Sequence, residues 1–321
     1  IIQYSRFAWN PNPIPFFVIL FLLSAYEILL AKNNKNLKWF VLYGIAVGIG
    51  IQLHVVLLAI FMLFSLFLIW SFKKRIKFVW KKILISIIIV LLLNSPQIFS
   101  EVKNDFSNSK IFINSTLIKK SKDSNLMQNI NEDIGCHFEA NAYMLTSIGI
   151  DRCDFLLAKI WSFEKSNKFI NEAESIGSWV HFAFILFFSI FGYALLIIRS
   201  RSEQDMERRI FLKLLMVYAS LSFIVMFPAI DEKIAEFRYF NHVFFVPFVF
   251  LGIISEAIIR KNKKLISIVV TLFVLSFISN TISISSDASD LSKGIKSGAH
   301  YSVLREVESM VEYIQRESEG A

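Results

Sequence analysis

The chain contains eight apolar stretches close to the roughly 20 residues that cross a hydrocarbon layer. They lie at about Pro13 to Ala31, Leu37 to Leu53, His54 to Trp70, Ile83 to Phe99, Trp179 to Ile198, Ile210 to Ile230, Phe240 to Ile259 and Leu265 to Ile282. Backbone polar groups in lipid find partners only within a helix or a closed barrel, and runs of this length read as helices. The expected fold is all-α, a polytopic transmembrane helical bundle of about eight spans. Composition agrees: 55% of residues are hydrophobic, 33 are Phe and the mean hydropathy is +0.55, above the usual range of a soluble domain.

The stretch from Leu37 to Trp70 is 34 residues long, too long for one ordinary span. The polar pair Gln52 and His54 divides it into two short helices; a single long, tilted helix is the alternative. Charge favours the division. The connections Lys32 to Lys38, Ser71 to Lys82, Arg199 to Arg209 and Arg260 to Lys264 hold 17 Lys or Arg. The connections between them, Ile1 to Asn12 and Asp231 to Tyr239, hold 3. The positive-inside rule makes the first set cytoplasmic, and the alternation holds through all eight stretches only if the chain turns at His54. The net charge of +8, which in a soluble chain would raise the question of nucleic acid, is therefore spent on orienting helices and meeting anionic headgroups. No nucleic-acid partner is expected.

Four regions follow. Residues 1–100 carry spans and an outer turn, 101–178 form an extracytoplasmic loop, 179–282 carry the remaining spans, and 283–321 form an outer tail. The loop holds both cysteines, Cys136 and Cys153. In an oxidising location they make a disulfide closing 17 residues; two free, buried thiols are the alternative. "RCDFLLAKIWSF" in the same loop has the spacing of a helix lying in the interface or packed on the bundle. Asn114 opens a glycosylation-type tripeptide of little specificity. In the tail, Val303, Val307, Met310, Val311 and Ile314 form an apolar stripe at helical period, expected to pack on a small outer domain continuing past Ala321.

Candidate chemistry falls on the outer side. "DEKIAEFRYFNH" crowds Asp231, Glu232, Glu236, Arg238, Tyr239, Asn241 and His242 at the mouth of two spans. A guanidinium presents a planar fork of donors suited to phosphate, so Arg238 is the candidate phosphate ligand with Tyr239 beside it. The alternative is a snorkelling Arg and an interfacial Tyr. Gln52 and His54 follow a Gly-rich helix able to approach its neighbours closely, so they are candidate cavity residues; a satisfied neutral imidazole is the alternative for His54. In "SRFAWNPNPIPFF" the prolines set an extended lead-in and then a helix start, and Arg6 and Trp9 have the character of interfacial anchors. Anchoring leaves Asn10 and Asn12 unexplained. Glu27 and Glu256 sit toward the inner helix ends, within reach of Lys32 and Arg260. Pro96, Pro228 and Pro247 are expected to kink spans near the outer side. There is no Walker loop, dinucleotide glycine pattern, zincin motif or nucleophile elbow. The outer carboxylates lack a recognisable metal-ligand spacing, which leaves a divalent cofactor open.

Taken in order, "SRFAWNPNPIPFF", "IQLHVV" and "EFRYFNHVFFVPF" resemble the lipid-sugar-dependent membrane glycosyltransferases of the C superfamily, in particular bacterial members grouped with protein O-mannosyltransferases and the lipid A aminoarabinose transferase. The resemblance covers Ile1 to about Ile282. It implies an integral protein of the plasma (inner) membrane whose partners are a polyprenyl-phosphate sugar donor, membrane lipids and a protein, lipid or polysaccharide acceptor. It also implies a donor-phosphate environment at Arg238 and Tyr239 and a cavity lined by Gln52, His54, Trp9, Asn10, Asn12, Glu236 and His242. The family's catalytic carboxylate belongs to a first outer loop, expected upstream of Ile1, so the sequence as given is expected to be inactive alone. Asn241 and His242 depart from the Pro or Leu that often follows the family's Arg-Tyr pair. The competing reading is a lipid-linked glycan transporter or polymerase that needs no acidic loop.

Overall fold

The computed structural model describes residues 13–30, 37–71, 76–107, 109–110, 134–141, 144–145, 176–226 and 237–292, with the backbone alone for 55, 76–78, 176–186, 237–239, 283–284 and 286–292. Every element among them is helical. In chain order they are α1 (Ile14–Leu30), α2 (Leu37–Leu53), α3 (Val55–Ser71), α4 (Ile76–Leu93), α5 (Ser95–Lys103) and α6 (134–141). Then come α7 (Ile176–Ser202), α8 (Met206–Met226), a 3₁₀ helix (Phe237–Val243), α9 (Val246–Lys261), a short 3₁₀ turn (Lys263–Leu265) and α10 (Ile266–Ser292).

These helices are apolar nearly all round, so hydrophobicity alone does not choose an inner face. Shape does. On α1 the buried residues Ile14, Val18, Phe21, Ala25 and Ile28 recur every three or four positions, while Phe16, Ile19 and Leu23 between them are exposed. In lipid, close packing rather than water exclusion selects such a stripe. Phe21 stacks on Phe61 of α3 at 4.1 Å between ring centroids, and Phe64 meets Tyr218 of α8 edge-on at 6.0 Å. This aromatic group ties α1, α3 and α8 into the main core.

Contacts fix the helix directions. Tyr43 pairs with Ser65 at 2.7 Å and Gly50 abuts Phe61, so α2 and α3 form an antiparallel hairpin with its break at His54, as the charge alternation predicts. By contrast, α2 and α4 run parallel. Ser86 Oγ donates to the Phe40 carbonyl at 2.6 Å, Asn94 Nδ2 to that of Gly48 at 3.1 Å, and Gln52 Nε2 to that of Leu93 at 2.6 Å. Cβ atoms on Gly44 and Gly48 would lie 2.8 Å from α4, which is why this seam is built on glycine. Further along, α7 and α9 are parallel, matching Gly192 to Phe250 and Arg199 to Glu256. α8 runs opposite to α1, matching Tyr26 to Phe211 and Phe21 to Tyr218.

The starts of α1 and α3 and the ends of α2, α4 and α8 therefore share one end of the bundle. The opposite end carries the basic connections. There Glu256 of α9 receives a bidentate Arg208 from α8, through Nη1 at 3.0 Å and through Nη2. Arg260 Nη2 lies 2.7 Å and Arg199 Nη2 of α7 3.6 Å from the same carboxylate, and Arg208 Nε reaches Glu203 at 3.3 Å. The expected pairing of Glu256 with Arg260 is thus one part of a larger cluster.

This is a membrane protein. Among the described residues, three segments are long and apolar enough to cross a bilayer: Met206–Met226, Phe240–Lys261 and Lys263–Ile282. A fourth is added if α4 and α5, bent by 60°, are one crossing. The expected count of eight is not reached on this measure: α1, α2 and α3 have 17 residues each, and the first eleven side chains of α7 lie outside the described set. The stretch Ile83 to Phe99, expected as a span kinked by Pro96, bends by 60°: one helix stops at Asn94, and Pro96 stands in the first turn of the next. Pro247 similarly stands in the first turn of α9. Pro228, the stretch 152–163, Asn114 and the stripe from Val303 to Ile314 lie outside the described residues.

Candidate functional site

At the end opposite the basic cluster, the 3₁₀ helix packs on α1 and contributes to the main core. Phe240, Asn241, His242 and Val243 are all buried, and the His242 carbonyl accepts from the Tyr218 hydroxyl at 3.3 Å. A seven-residue 3₁₀ segment between two apolar helices holds its place through such tertiary contacts, since its own hydrogen-bond geometry is poor. Arg238 and Tyr239 lie on this segment; their side chains are outside the described set.

Onto the same region docks α6, from the long loop. Cys136, His137, Glu139, Ala140 and Asn141 are each at most 7% exposed. Ile134 and Phe138, on one face, are partly buried and the rest of this short helix is buried, so it is inserted rather than laid on a surface. Cys136 is in a disulfide, and the one other cysteine of the sequence is Cys153, outside the described residues. The disulfide reading therefore replaces that of two free thiols.

The His137 imidazole is buried against side chains of α7, α8 and the 3₁₀ helix. Its Nε2 is hydrogen-bonded to the Tyr193 hydroxyl of α7 and lies 3.4 Å from Asn141 Nδ2. The ring sits 5.5 Å from that of Phe240 and 6.1 Å from that of Phe223. Which of Tyr193 and the imidazole donates follows from the ring tautomer. Burial pulls the imidazole down to about 4 by penalising its charged form.

The other predicted residues separate into three groups. Gln52 and His54 stand at this end, where each completes a helix terminus. Gln52 Nε2 donates to the Leu93 carbonyl, and His54 Nδ1 accepts from the Val56 N–H at 3.3 Å. Both bonds satisfy groups that helix ends leave open. His242 is brought into the packed region beside α1. Trp9, Asn10, Asn12, Glu236 and Cys153 lie outside the described residues. Sequence reading missed His137, Asn141, Glu139 and Tyr193. Their one available signal was the neighbouring Cys136, whose cross-link restrains the residues around it.

Among the described residues no group of three His, Cys, Asp or Glu side chains is placed to hold a metal ion. No protein-family model matches the sequence, and neither a curated protein nor a solved structure is detectably similar to it. The resemblance to C-superfamily glycosyltransferases accordingly rests on the three quoted motifs.

Proposed function

We propose that this chain belongs to an extracytoplasmic glycosyltransferase that moves a sugar from a polyprenyl-phosphate donor to an acceptor hydroxyl on a protein, lipid or polysaccharide. The observation that carries the reading is the position of the Arg238-bearing 3₁₀ helix. It packs on α1, at the end of the bundle away from the basic connections. The start of α1, where the first motif ends, and the Gln52–His54 turn of the second lie at that same end.

In this reading Arg238 and Tyr239 hold the donor phosphate, and the guanidinium stabilises negative charge as the lipid phosphate departs. A carboxylate outside this chain's assigned residues accepts the acceptor's proton. The positive-inside rule sets the site on the extracytoplasmic face of the plasma membrane. Eight crossings fit the helix directions if the 17-residue helices, each rising roughly 25 Å, are matched by a locally thinned bilayer.

The test is transfer of labelled sugar from a polyprenyl-phosphate donor by the full-length gene product in membranes, with Arg238→Ala as the comparison. Loss of transfer and of donor affinity in a folded variant supports the reading. Unchanged transfer and affinity removes Arg238 from it. A wild type that moves the donor lipid across the bilayer without transferring sugar replaces the transferase with a transporter.

A further inference from the structure

We propose that the guanidinium cluster around Glu256 binds the phosphate of an anionic phospholipid, at the end of the bundle remote from the proposed transfer site. Arg199, Arg208 and Arg260 come from three different helices and converge on one carboxylate. Together with Glu203 they leave one positive charge in excess. Donors are also in excess. Each guanidinium carries five N–H groups, and Glu256 and Glu203 engage three nitrogens of Arg208 but one each of Arg199 and Arg260. Glu256 thus acts as the post around which three forks are aligned, and among the described residues further donors of Arg199 and of the more exposed Arg260 remain for another anion.

The surroundings select a lipid. The Arg260 side chain is 57% exposed, and Lys261, Lys263 and Lys264 beside it are exposed as well. The Lys263–Leu265 turn leads directly into α10, whose first turns present Ile266, Ile268 and Val270 to the surroundings. A soluble phosphate would use the basic groups alone. A phospholipid uses both, with its phosphate on the guanidinium forks and its acyl chains along the bare flank of α10.

The full chain in dodecyl maltoside micelles is titrated with phosphatidylglycerol, phosphatidylcholine or inorganic phosphate, and thermal unfolding is followed. Phosphatidylglycerol is expected to raise the unfolding temperature saturably, and phosphatidylcholine is not. Combining Arg199→Gln with Arg260→Gln should raise the half-saturating phosphatidylglycerol concentration about tenfold, as expected for loss of charge-assisted hydrogen bonds. Neutralising Lys261, Lys263 and Lys264 to Gln removes more charge and should shift it less. Arg260→Lys keeps the charge and the fold but not the fork, and should also weaken the effect. An unshifted midpoint in either arginine variant overturns the proposal, as does an equal or larger shift in the lysine variant. Equal stabilisation by inorganic phosphate would make this a site for a free anion instead.

Discussion

Gly192 of α7 lies so close to Phe250 of α9 that a Cβ built on the glycine would fall 2.4 Å from two carbons of the phenyl group. The nearest atoms include Cγ and Cβ, the root of the side chain, which cannot swing away without moving α9. Gly192→Ala should therefore push the two helices apart and destabilise the protein by ~1–3 kcal/mol. Gly252, two residues further along α9, meets nothing within 4 Å of an added Cβ. Gly252→Ala should be neutral or stabilising by up to ~1 kcal/mol. Thermal unfolding of the two variants side by side checks the contrast.

Glu256 pairs with three guanidinium groups that come from three helices. Glu256→Gln leaves those cations facing one another with Glu203 as the remaining counter-charge in the cluster. The site is partly exposed, so solvent screens the repulsion, and the expected loss is ~1–2 kcal/mol. Adding salt should recover part of it, since screening weakens like-charge repulsion. A variant as stable as wild type at low ionic strength would show that the cluster does not hold the helices together.

The His137 imidazole in the folded protein lies at about 4, below the ordinary 6.5 or so of the unfolded chain. As pH falls, the unfolded chain takes up the proton first. Stability should therefore be intact above about pH 6.5 and decline down to about pH 4, by at most ~3 kcal/mol in total. His137→Gln removes the titrating group, and its stability should lack this component between those values. Parallel pH profiles for variant and wild type would refute the burial of a neutral histidine here.

Cys136 anchors the helix that carries His137 and Asn141. Closing a loop of 17 residues, read from Cys136 to Cys153, restricts the unfolded chain by roughly 3 kcal/mol. Reduction, or Cys136→Ser, should lower stability by that order. Hydrogen exchange should rise first in residues 134–141, ahead of the α1–α3–α8 core. Uniform exchange throughout would show that α6 opens only with the whole bundle.

Much of the helix layout was legible because a bilayer-length apolar run has few other fates. The boundaries of α2 coincide with the sequence reading, and the break after it falls at His54. Pro96 announced a bend here, but the bond from the Asn94 amide to a carbonyl 46 residues earlier was not legible, because no local pattern encodes such a relationship. The buried stripe of α1 was hidden for a different reason: Phe16 and Phe21 are the same residue type, one facing lipid and one facing Phe61. At the candidate site, composition drew notice to Arg238, Gln52 and His54, whose polarity stands out against apolar neighbours. His137 and Asn141 sit in a polar loop where they do not stand out, and insertion of that loop into the bundle is what gives them their surroundings.

The parallel seam between α2 and α4 sets a timetable for making the protein. When α2 leaves the ribosome, the side chains that make the cross-helix bonds to the Phe40 and Gly48 carbonyls are still 46 residues from being synthesised. At roughly 5–20 residues per second the interval is a few seconds. Throughout it, the glycine-lined face of α2 stands in the membrane without its mate, with α3 already folded back on another side. That interval is when a membrane insertase or a wrong helix has its best opportunity to bind the nascent chain.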